Sequence, residues 1–513
     1  MSVLADLRLL AALPWLAALA VLLLPRRAAR ACALTATGLG VLAALACSAG
    51  APAIEVEWLG RGVALRLTSG PLAAFGLVAT AVAGLLAVLE EETRGRGRLA
   101  GLLALLGTVL VGLLAGDVLV LAAAWALAPA LVLGLLAARA SEAEGRIAGR
   151  ALALLLSLGA GAVLLVGAGL AVAHRGASSG TWSAALTGLA SVRVPEAAAT
   201  GLAGALALAC ALAIGLWPLH AGLVEGTAVG SRGTTRLLAG PVRWLGLDAL
   251  IRLWAPLVPL GAAATAPWLA GLATLGAIYA GLSARVELDP ERRAARIALV
   301  GWSVATVGVA TLTHEGLSGA LLLAVVAGLG QPGLARAEPI ARVVLGLAGG
   351  LAGGLVIVAA LRPAALTLGA LGPWCACGAA LALGLAGSAM ARGTGIKGHV
   401  ARDMVKATGP SGHVAQDMAD TTGRAGHVPG RWSTAALVTV VAVAIARPSL
   451  VLGRLDEAGE AWVRASALQR CLALVDPRIV AVLLPPVAPT RCESPLAGLR
   501  AGKAIAAEAE GQR

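Results

Sequence analysis

Apolar runs of about 20 residues dominate this sequence and leave few alternatives for its fold. A run of that length can cross the hydrocarbon core of a bilayer as an α-helix. We identify fourteen such runs, centred near residues 17, 40, 80, 107, 128, 161, 208, 244, 272, 303, 326, 351, 379 and 442. Hydrophobic residues make up 59% of the chain and charged residues only 13%. The sequence therefore predicts an all-α, polytopic membrane protein that is surrounded by the lipid bilayer.

Basic residues are distributed unequally between the two sets of loops that these spans create. One set holds 23 lysines and arginines, and the other, without the C-terminal tail, holds 7. Because positively charged loops stay in the cytoplasm, this bias predicts a protein of the cell inner (plasma) membrane with both termini on the outer side. The bias also accounts for most of the net charge of +13. Since no basic stripe is interleaved with aromatic residues, we expect no nucleic-acid partner.

Ionisable residues are concentrated in the otherwise apolar stretch 213–252. It contains a Trp-Pro-Leu-His element at residues 217–220, a glycine-rich loop, and a second apolar helix ending at Arg252. Ionisable groups in or beside a membrane span are costly and therefore often functional, so we consider four of them candidates for a proton path. These candidates are His220, Glu225, Arg243 and Asp248. The proline at 218 predicts a broken helix, whose free backbone groups require a protein interior or a wet cavity.

The same stretch resembles the signature of the antiporter-like membrane subunits of respiratory complex I, and most closely the chain M group of bacterial NADH-quinone oxidoreductase. The matching residues are Pro218, Leu219, His220, Leu223, Leu238, Ala239, Gly240, Leu250 and Arg252, with Glu225 in place of an aspartate. The resemblance extends in order over about residues 1–460. It implies a fourteen-helix antiporter-like bundle of two inverted repeats with broken helices. It also implies a non-redox subunit that binds no cofactor and has other membrane subunits as partners.

The resemblance ends at the residues that handle protons in this family. The two family lysines fall on Ala213 and Trp244, and the glutamate that pairs with the first lysine falls on Ala126. A central histidine falls on Ala327, and another family histidine falls on Gly301. Losing both members of the Glu–Lys pair is physically coherent, because losing one alone would strand a buried charge.

Two carboxylates of this region carry specific structural predictions. We predict that Asp248 pairs with Arg243, which lies one position before Trp244, and that the pair holds its helix in place. The Gly116-Asp117 pair also matches the family, and we predict that Asp117 caps a helix at the membrane surface and is not a proton-handling residue.

Three functional hypotheses remain open. The chain is a proton-conducting membrane subunit of a complex I-like NADH-quinone oxidoreductase, a non-conducting scaffold in that assembly or in a related hydrogenase or bicarbonate-uptake complex, or a stand-alone ion transporter. The lost ionisable residues favour a subunit with reduced or no conduction of its own. No nucleotide-binding loop, nucleophile triad or paired-cysteine motif indicates a catalytic residue, so whether the chain counts as part of an enzyme depends on its assembly.

The sequence divides into five parts. An N-terminal helical hairpin with an outer loop (1–68) precedes the antiporter-like core (69–390), a polar inner loop with a 14-residue repeat (391–432), the last transmembrane helix (433–452) and a polar tail (453–513). The repeat carries His399, His413 and His427, but no close histidine pair or cysteine joins them, so we predict an expanded loop and no metal site. Cys471 and Cys492 are predicted to form a disulfide if the tail lies in an oxidising space.

Overall fold

The structure is a computed structural model that describes residues 6–48, 51–60, 63–91, 95–137, 143–177, 182–192, 194–330, 339–361, 368 and 371–392. The predicted last span, the C-terminal tail with its two cysteines, and all but the first two residues of the repeat-bearing loop lie outside the described residues. The disulfide and the interpretation of the histidine repeat therefore stay predictions.

Helices form nearly all of the described chain. In order, they and the two strands are α1 (Leu7–Leu23), α2 (Arg26–Ser48), β1 (Ile54–Gly60), β2 (Val63–Leu67), α3 (Pro71–Glu90), α4 (Arg96–Leu114), α5 (Val118–Ala137), α6 (Ala143–Ala177), α7 (Leu186–Ala190), α8 (Glu196–Ile214), α9 (Ala221–Val229), α10 (Arg232–Ala239), α11 (Pro241–Ala249), a π-helical turn (Leu250–Trp254), α12 (Ala255–Leu257), α13 (Pro259–Val286), α14 (Pro290–Ala310), α15 (His314–Val325), a second π-helical turn (Val326–Gly330), α16 (Pro339–Leu361) and α17 (Leu371–Arg392).

The predicted polytopic helical fold is confirmed. Within the described residues, nine helices are long and apolar enough to cross a membrane, and three shorter apolar helices accompany them. Every predicted span from the one centred near residue 17 to the one near 379 coincides with a helical segment. The span centred near residue 442 lies outside the described part of the chain.

The predicted outer loop contains a β-hairpin that apolar periodicity alone did not indicate. Strands β1 and β2 pair antiparallel, with Glu55 opposite Arg66. The hairpin is tied to the α4–α5 connection, where the Gly116 N–H donates to the Arg66 carbonyl at 2.7 Å.

Asp117 caps helix α5, as predicted. Its carboxylate accepts hydrogen bonds from the backbone N–H of Val120 at 2.8 Å and of Arg66 at 2.9 Å. Burial raises the pKa of the Asp117 carboxyl above its ordinary value, and these hydrogen bonds oppose the increase. The residue therefore joins the hairpin to α5, which is a structural role.

Small residues allow the central helices to approach one another closely. Helix α13 packs against α8, α14 and α17, and it buries a row of alanines, Ala262, Ala266, Ala270, Ala273, Ala277 and Ala280. Close approach of backbones through small residues is the usual basis of helix association in membranes, where lipid is as apolar as the helices themselves.

We expect Gly261→Ala to destabilise the protein, whereas Gly271→Ala on the same helix should not. A Cβ at position 261 would overlap the Ala199 carbonyl oxygen, while one at 271 would meet nothing within 4 Å. Overpacking of this kind costs about 1–3 kcal/mol, whereas alanine in an open helical position is favoured over glycine by up to about 1 kcal/mol. Thermal unfolding of the two purified variants in detergent measures the difference, and equal melting temperatures would contradict the α8–α13 contact.

Candidate functional site

Two consecutive membrane helices are interrupted in the middle of the bundle. Helix α8 ends at Ile214, and Gly215 adopts a left-handed conformation with φ 73°, which glycine reaches without strain. The chain becomes helical again at Ala221, so the break predicted at Pro218 is confirmed. Leu216 within the break is fully buried. Pro218 is exposed and Trp217, Leu219 and His220 are half-buried, so the described residues enclose only the start of the interrupted backbone.

The second interruption separates α10 from α11 at Gly240. A Cβ at position 240 would lie 2.9 Å from the carbonyl oxygen of Gly328, so glycine is needed for this close approach. Gly328 belongs to the π-helical turn after α15, and α11 itself continues into the other π-helical turn. Such turns are rare and are found frequently at functional sites. The interruption at Gly240 and the π-helical turn Val326–Gly330 thus meet inside the described bundle.

Two tryptophans occupy the space between these segments. The rings of Trp244 and Trp302 pack edge to face, with centroids 5.8 Å apart and an interplanar angle of 87°. The Trp302 indole N–H donates to the Ala239 carbonyl at 3.0 Å. Gly76 of α3 and Gly328 leave room for the rings, since a Cβ at either position would lie within 3.4 Å of one of them. We call Trp244 and Trp302 the tryptophan pair.

The positions where the resemblance implies other proton-handling residues are apolar, and three of them are buried. A Cβ at Gly246 would lie 3.0 Å from the Ala213 Cβ, and a Cβ at Gly301 would lie 2.7 Å from the Ala327 Cβ. Beside Gly301 and Ala327 lies an apolar cavity of about 80 Å³. Ala126 differs, because it lies on the exposed face of α5. Positions 213, 244, 301 and 327, which we call the buried axis, therefore carry no titratable side chain.

Arg243 is the charged group at the centre of this region. It is fully buried, and none of its three guanidinium nitrogens has a hydrogen-bond partner among the described residues. The predicted pair with Asp248 is wrong. Asp248 instead accepts from Arg252 Nε at 2.7 Å. The reason is helical geometry, since residues four apart share a face of a helix and residues five apart do not.

Arg252 in turn joins two helices. Besides its bond to Asp248, its Nη1 and Nη2 atoms donate to the carbonyls of Ala115 and Gly112 at 2.6 and 2.9 Å. These carbonyls belong to the carboxyl end of α4, where a positive charge is favourable. Asp248 and Arg252 therefore serve as a structural pair between α11 and α4.

The other two proton-path candidates, His220 and Glu225, are not part of the Asp248–Arg252 pair. His220 precedes α9, and its ring meets Tyr279 edge-on with centroids 5.2 Å apart. Glu225 forms an ion pair with Arg292 of α14 at 3.0 Å, and both side chains are more than a third exposed. Of the four candidates, His220 and Arg243 lie close enough for an electrostatic interaction.

Sequence reasoning missed a buried ion pair between α3 and α10. Arg236 binds Glu90 with two hydrogen bonds of 2.5 and 2.9 Å, and its Nη1 donates to the Leu329 carbonyl at 2.7 Å. The side-chain exposures are 3% for Arg236 and 13% for Glu90. Two adjacent carboxylates at the end of an apolar run were the available signal, because an acidic residue at such a place usually has a partner.

A metal-binding arrangement is not found among the described residues, where no three His, Cys, Asp or Glu side chains come together.

Comparison with curated proteins finds sequence similarity over part of the chain, although no protein-family model matches it. The chain is 30% identical over 122 residues to the chloroplastic NAD(P)H-quinone oxidoreductase chain 4 of Cryptomeria japonica, covering 24% of each protein. It is 30% identical over 168 residues to NAD(P)H-quinone oxidoreductase chain 4-3 of a Nostoc species, covering 33% of this chain and 30% of the relative. The matches thus span about a quarter to a third of the length of these relatives.

Solved structures share the fold over most of the chain. A chain of respiratory complex I from Thermus thermophilus superposes with a TM-score of 0.72 at 22% identity, covering 90% of this chain and 100% of that one. A chain of the Mrp complex from Dietzia sp. gives 0.69 at 18% identity, covering 99% and 60%. A chain of the archaeal membrane-bound sulfane sulfur reductase gives 0.63 at 16% identity, covering 75% and 69%. The resemblance to antiporter-like complex I subunits is confirmed.

Proposed function

We propose that this chain is a membrane subunit of a complex I-like NADH-quinone oxidoreductase and that it conducts no protons through its own buried axis. The tryptophan pair carries the proposal, because Trp244 stands where the resemblance implies a lysine and fills that space with an indole ring. Proton transfer requires a group that takes up and releases a proton near neutral pH. Neither tryptophan, nor alanine at 213 and 327, does so.

Partnership with other membrane subunits is supported by the fold shared with chains of respiratory complex I and the Mrp complex, and the outer surface of the bundle is compatible with it. Large apolar side chains are exposed on several helices, among them Leu165, Trp268 and Trp374. Such surfaces suit lipid or neighbouring membrane helices. The excess of basic residues in one set of loops supports placing both termini on the outer side of the plasma membrane.

A second candidate is a scaffold subunit of a related membrane assembly. The fold shared with chains of the Mrp complex and the sulfane sulfur reductase favours it, since this fold is compatible with more than one kind of complex. Affinity purification of the tagged chain from its native membrane in mild detergent distinguishes the two, because the co-purifying subunits identify the assembly. Recovery of the chain alone would contradict both and support a stand-alone transporter.

Proton flux tests the absence of conduction directly. The purified chain is reconstituted in liposomes, and flux driven by a potassium diffusion potential is followed with a pH-sensitive dye. We expect flux no higher than in protein-free vesicles, with an added protonophore as the positive control. Flux above that of the protein-free vesicles would overturn the proposal.

A further inference from the structure

A small cleft opens at the end of the bundle where α2 and α4 begin. Its charged lining residues are Arg26 and Arg30 of α2, Glu91 just after α3, and Arg96 of α4. Arg26 and Arg96 are exposed, Arg30 is half-buried and Glu91 is buried. The arginines therefore lie toward the mouth of the cleft, and the carboxylate lies at its floor.

The three guanidinium groups at the mouth form no ion pair with any described carboxylate. Arg96 donates to the Leu24 carbonyl at 3.1 Å and Arg30 to the Leu89 carbonyl at 3.5 Å, so each keeps further N–H donors. Helices α2 and α4 also begin here without an acidic residue in their first turns, and the amino ends of helices attract negative charge. The mouth of the cleft therefore suits a phosphate group, which arginine binds well.

Glu91 at the floor uses only one of its two carboxylate oxygens. Its Oε2 accepts from the Ser231 hydroxyl at 2.6 Å and from the Gly233 backbone N–H at 3.2 Å, which ties the end of α3 to α10. Its Oε1 is buried and has no hydrogen-bond partner among the described residues. The cleft encloses about 20 Å³, which is room for one group of the size of water or a hydroxyl. Glu91 therefore offers an acceptor for one hydroxyl donor.

An apolar face of α1 reaches the same end of the bundle. The side chains of Leu16, Leu19 and Leu23 are exposed, and their spacing of three and four residues places them on one face of the helix. This face ends next to Leu24, whose carbonyl binds Arg96. A molecule with an anionic head and apolar chains matches both surfaces, whereas an acidic protein segment would match the arginines alone.

We propose that this cleft binds the headgroup of an anionic phospholipid that carries a hydroxyl group. The arginines bind the phosphate, the headgroup hydroxyl donates to Glu91 Oε1, and the acyl chains lie along the exposed leucines of α1. The connections at this end belong to the loops rich in basic residues, and basic pockets between membrane helices on the cytoplasmic side bind anionic headgroups. The site involves no chemical step and does not depend on whether the chain conducts protons.

Thermal unfolding of the full-length chain in detergent tests the site. Dihexanoyl phosphatidylglycerol, dihexanoyl phosphatidylcholine and inorganic phosphate are added separately at equal ionic strength. We expect the melting temperature to rise and to saturate with phosphatidylglycerol only. An equal rise with phosphatidylcholine would overturn a charge-selective site, and an equal rise with inorganic phosphate would overturn a lipid site.

A pair of double variants tests whether the cleft itself is responsible. Arg26→Gln with Arg96→Gln removes two guanidinium groups from the mouth and should abolish the rise caused by phosphatidylglycerol. Arg27→Gln with Arg98→Gln removes the same charge from the first turns of the same two helices, at positions that do not line the cleft. This matched control should retain the full rise. Equal responses of the two double variants would mean that surface charge alone attracts the lipid, and would overturn the site.

The role of Glu91 is tested without a variant of that residue, because its Oε2 also supports α10. Dihexanoyl phosphatidylethanol has the same phosphodiester charge as phosphatidylglycerol but no headgroup hydroxyl. We expect phosphatidylglycerol to reach its half-maximal shift at a concentration about tenfold lower, as one hydrogen bond to a charged group implies. Equal half-maximal concentrations for the two lipids would overturn the contact with Glu91.

Discussion

Glu90→Ala is expected to destabilise the protein by about 3–5 kcal/mol, because it leaves the buried guanidinium of Arg236 without its carboxylate. Two hydrogen bonds join these side chains, and the third donor of Arg236 reaches the Leu329 carbonyl. The pair therefore connects α3, α10 and the π-helical turn beside the tryptophan pair. Arg236→Ala alone should cost a similar amount, whereas the double variant should cost less than either, since no charge is then stranded.

Glu55→Ala is the matched control for the double-mutant cycle of Glu90 and Arg236. Glu55 pairs with Arg66 at 2.6 Å, but its side chain is 55% exposed. Exposed pairs are worth about 0–1 kcal/mol because water screens them. Thermal unfolding and assembly yield of the four variants measure the coupling. If Glu90→Ala and Arg236→Ala add without coupling, or if Glu90→Ala costs no more than Glu55→Ala, the buried pair does not stabilise the fold.

The sequence predicts the membrane helices well because a bilayer limits the alternatives. In lipid, a run of about 20 apolar residues satisfies its own backbone hydrogen bonds only as an α-helix. The break near Pro218 is also predictable, because proline removes a backbone donor and clashes with the preceding turn. The cap at Asp117 follows from a local preference that operates within three residues. These features are all decided by short stretches of sequence.

The ion pairs depend on packing and are therefore harder to predict. Glu90 and Arg236 are 146 residues apart, and no local pattern joins them. Asp248 had two basic candidates nearby, and helical periodicity favours Arg252, four residues on, over Arg243. That no described carboxylate binds Arg243 could not be read from the sequence, because it depends on how α11 packs against its neighbours.

The candidate site was predictable as a list of positions but not as a structure. Alignment to a family pattern identifies Ala213, Trp244 and Ala327 as replacements. It does not reveal that Trp302 completes an edge-to-face pair with Trp244. That contact changes the interpretation, because a missing lysine alone leaves space that water can enter, whereas two packed indoles leave little.

Trp302→Ala is expected to cost about 3–5 kcal/mol, the range for truncating a large buried aromatic side chain. The ring is fully buried against Trp244, and its N–H bonds the Ala239 carbonyl, which would lose its partner. Trp374→Ala is the control, because that side chain is 76% exposed on α17 and should contribute little. Thermal unfolding in detergent measures both.

The same variant separates packing from conduction. Removing Trp302 opens space beside Trp244 but introduces no titratable group, so we expect liposomes containing Trp302→Ala to remain as impermeable to protons as those with the unaltered chain. Proton flux in Trp302→Ala alone would mean that the indole is the only barrier and that a conducting path survives around it. If Trp302→Ala unfolds at the same temperature as Trp374→Ala, the tryptophan pair is not packed as described, and the proposal of a closed axis loses the observation that carries it.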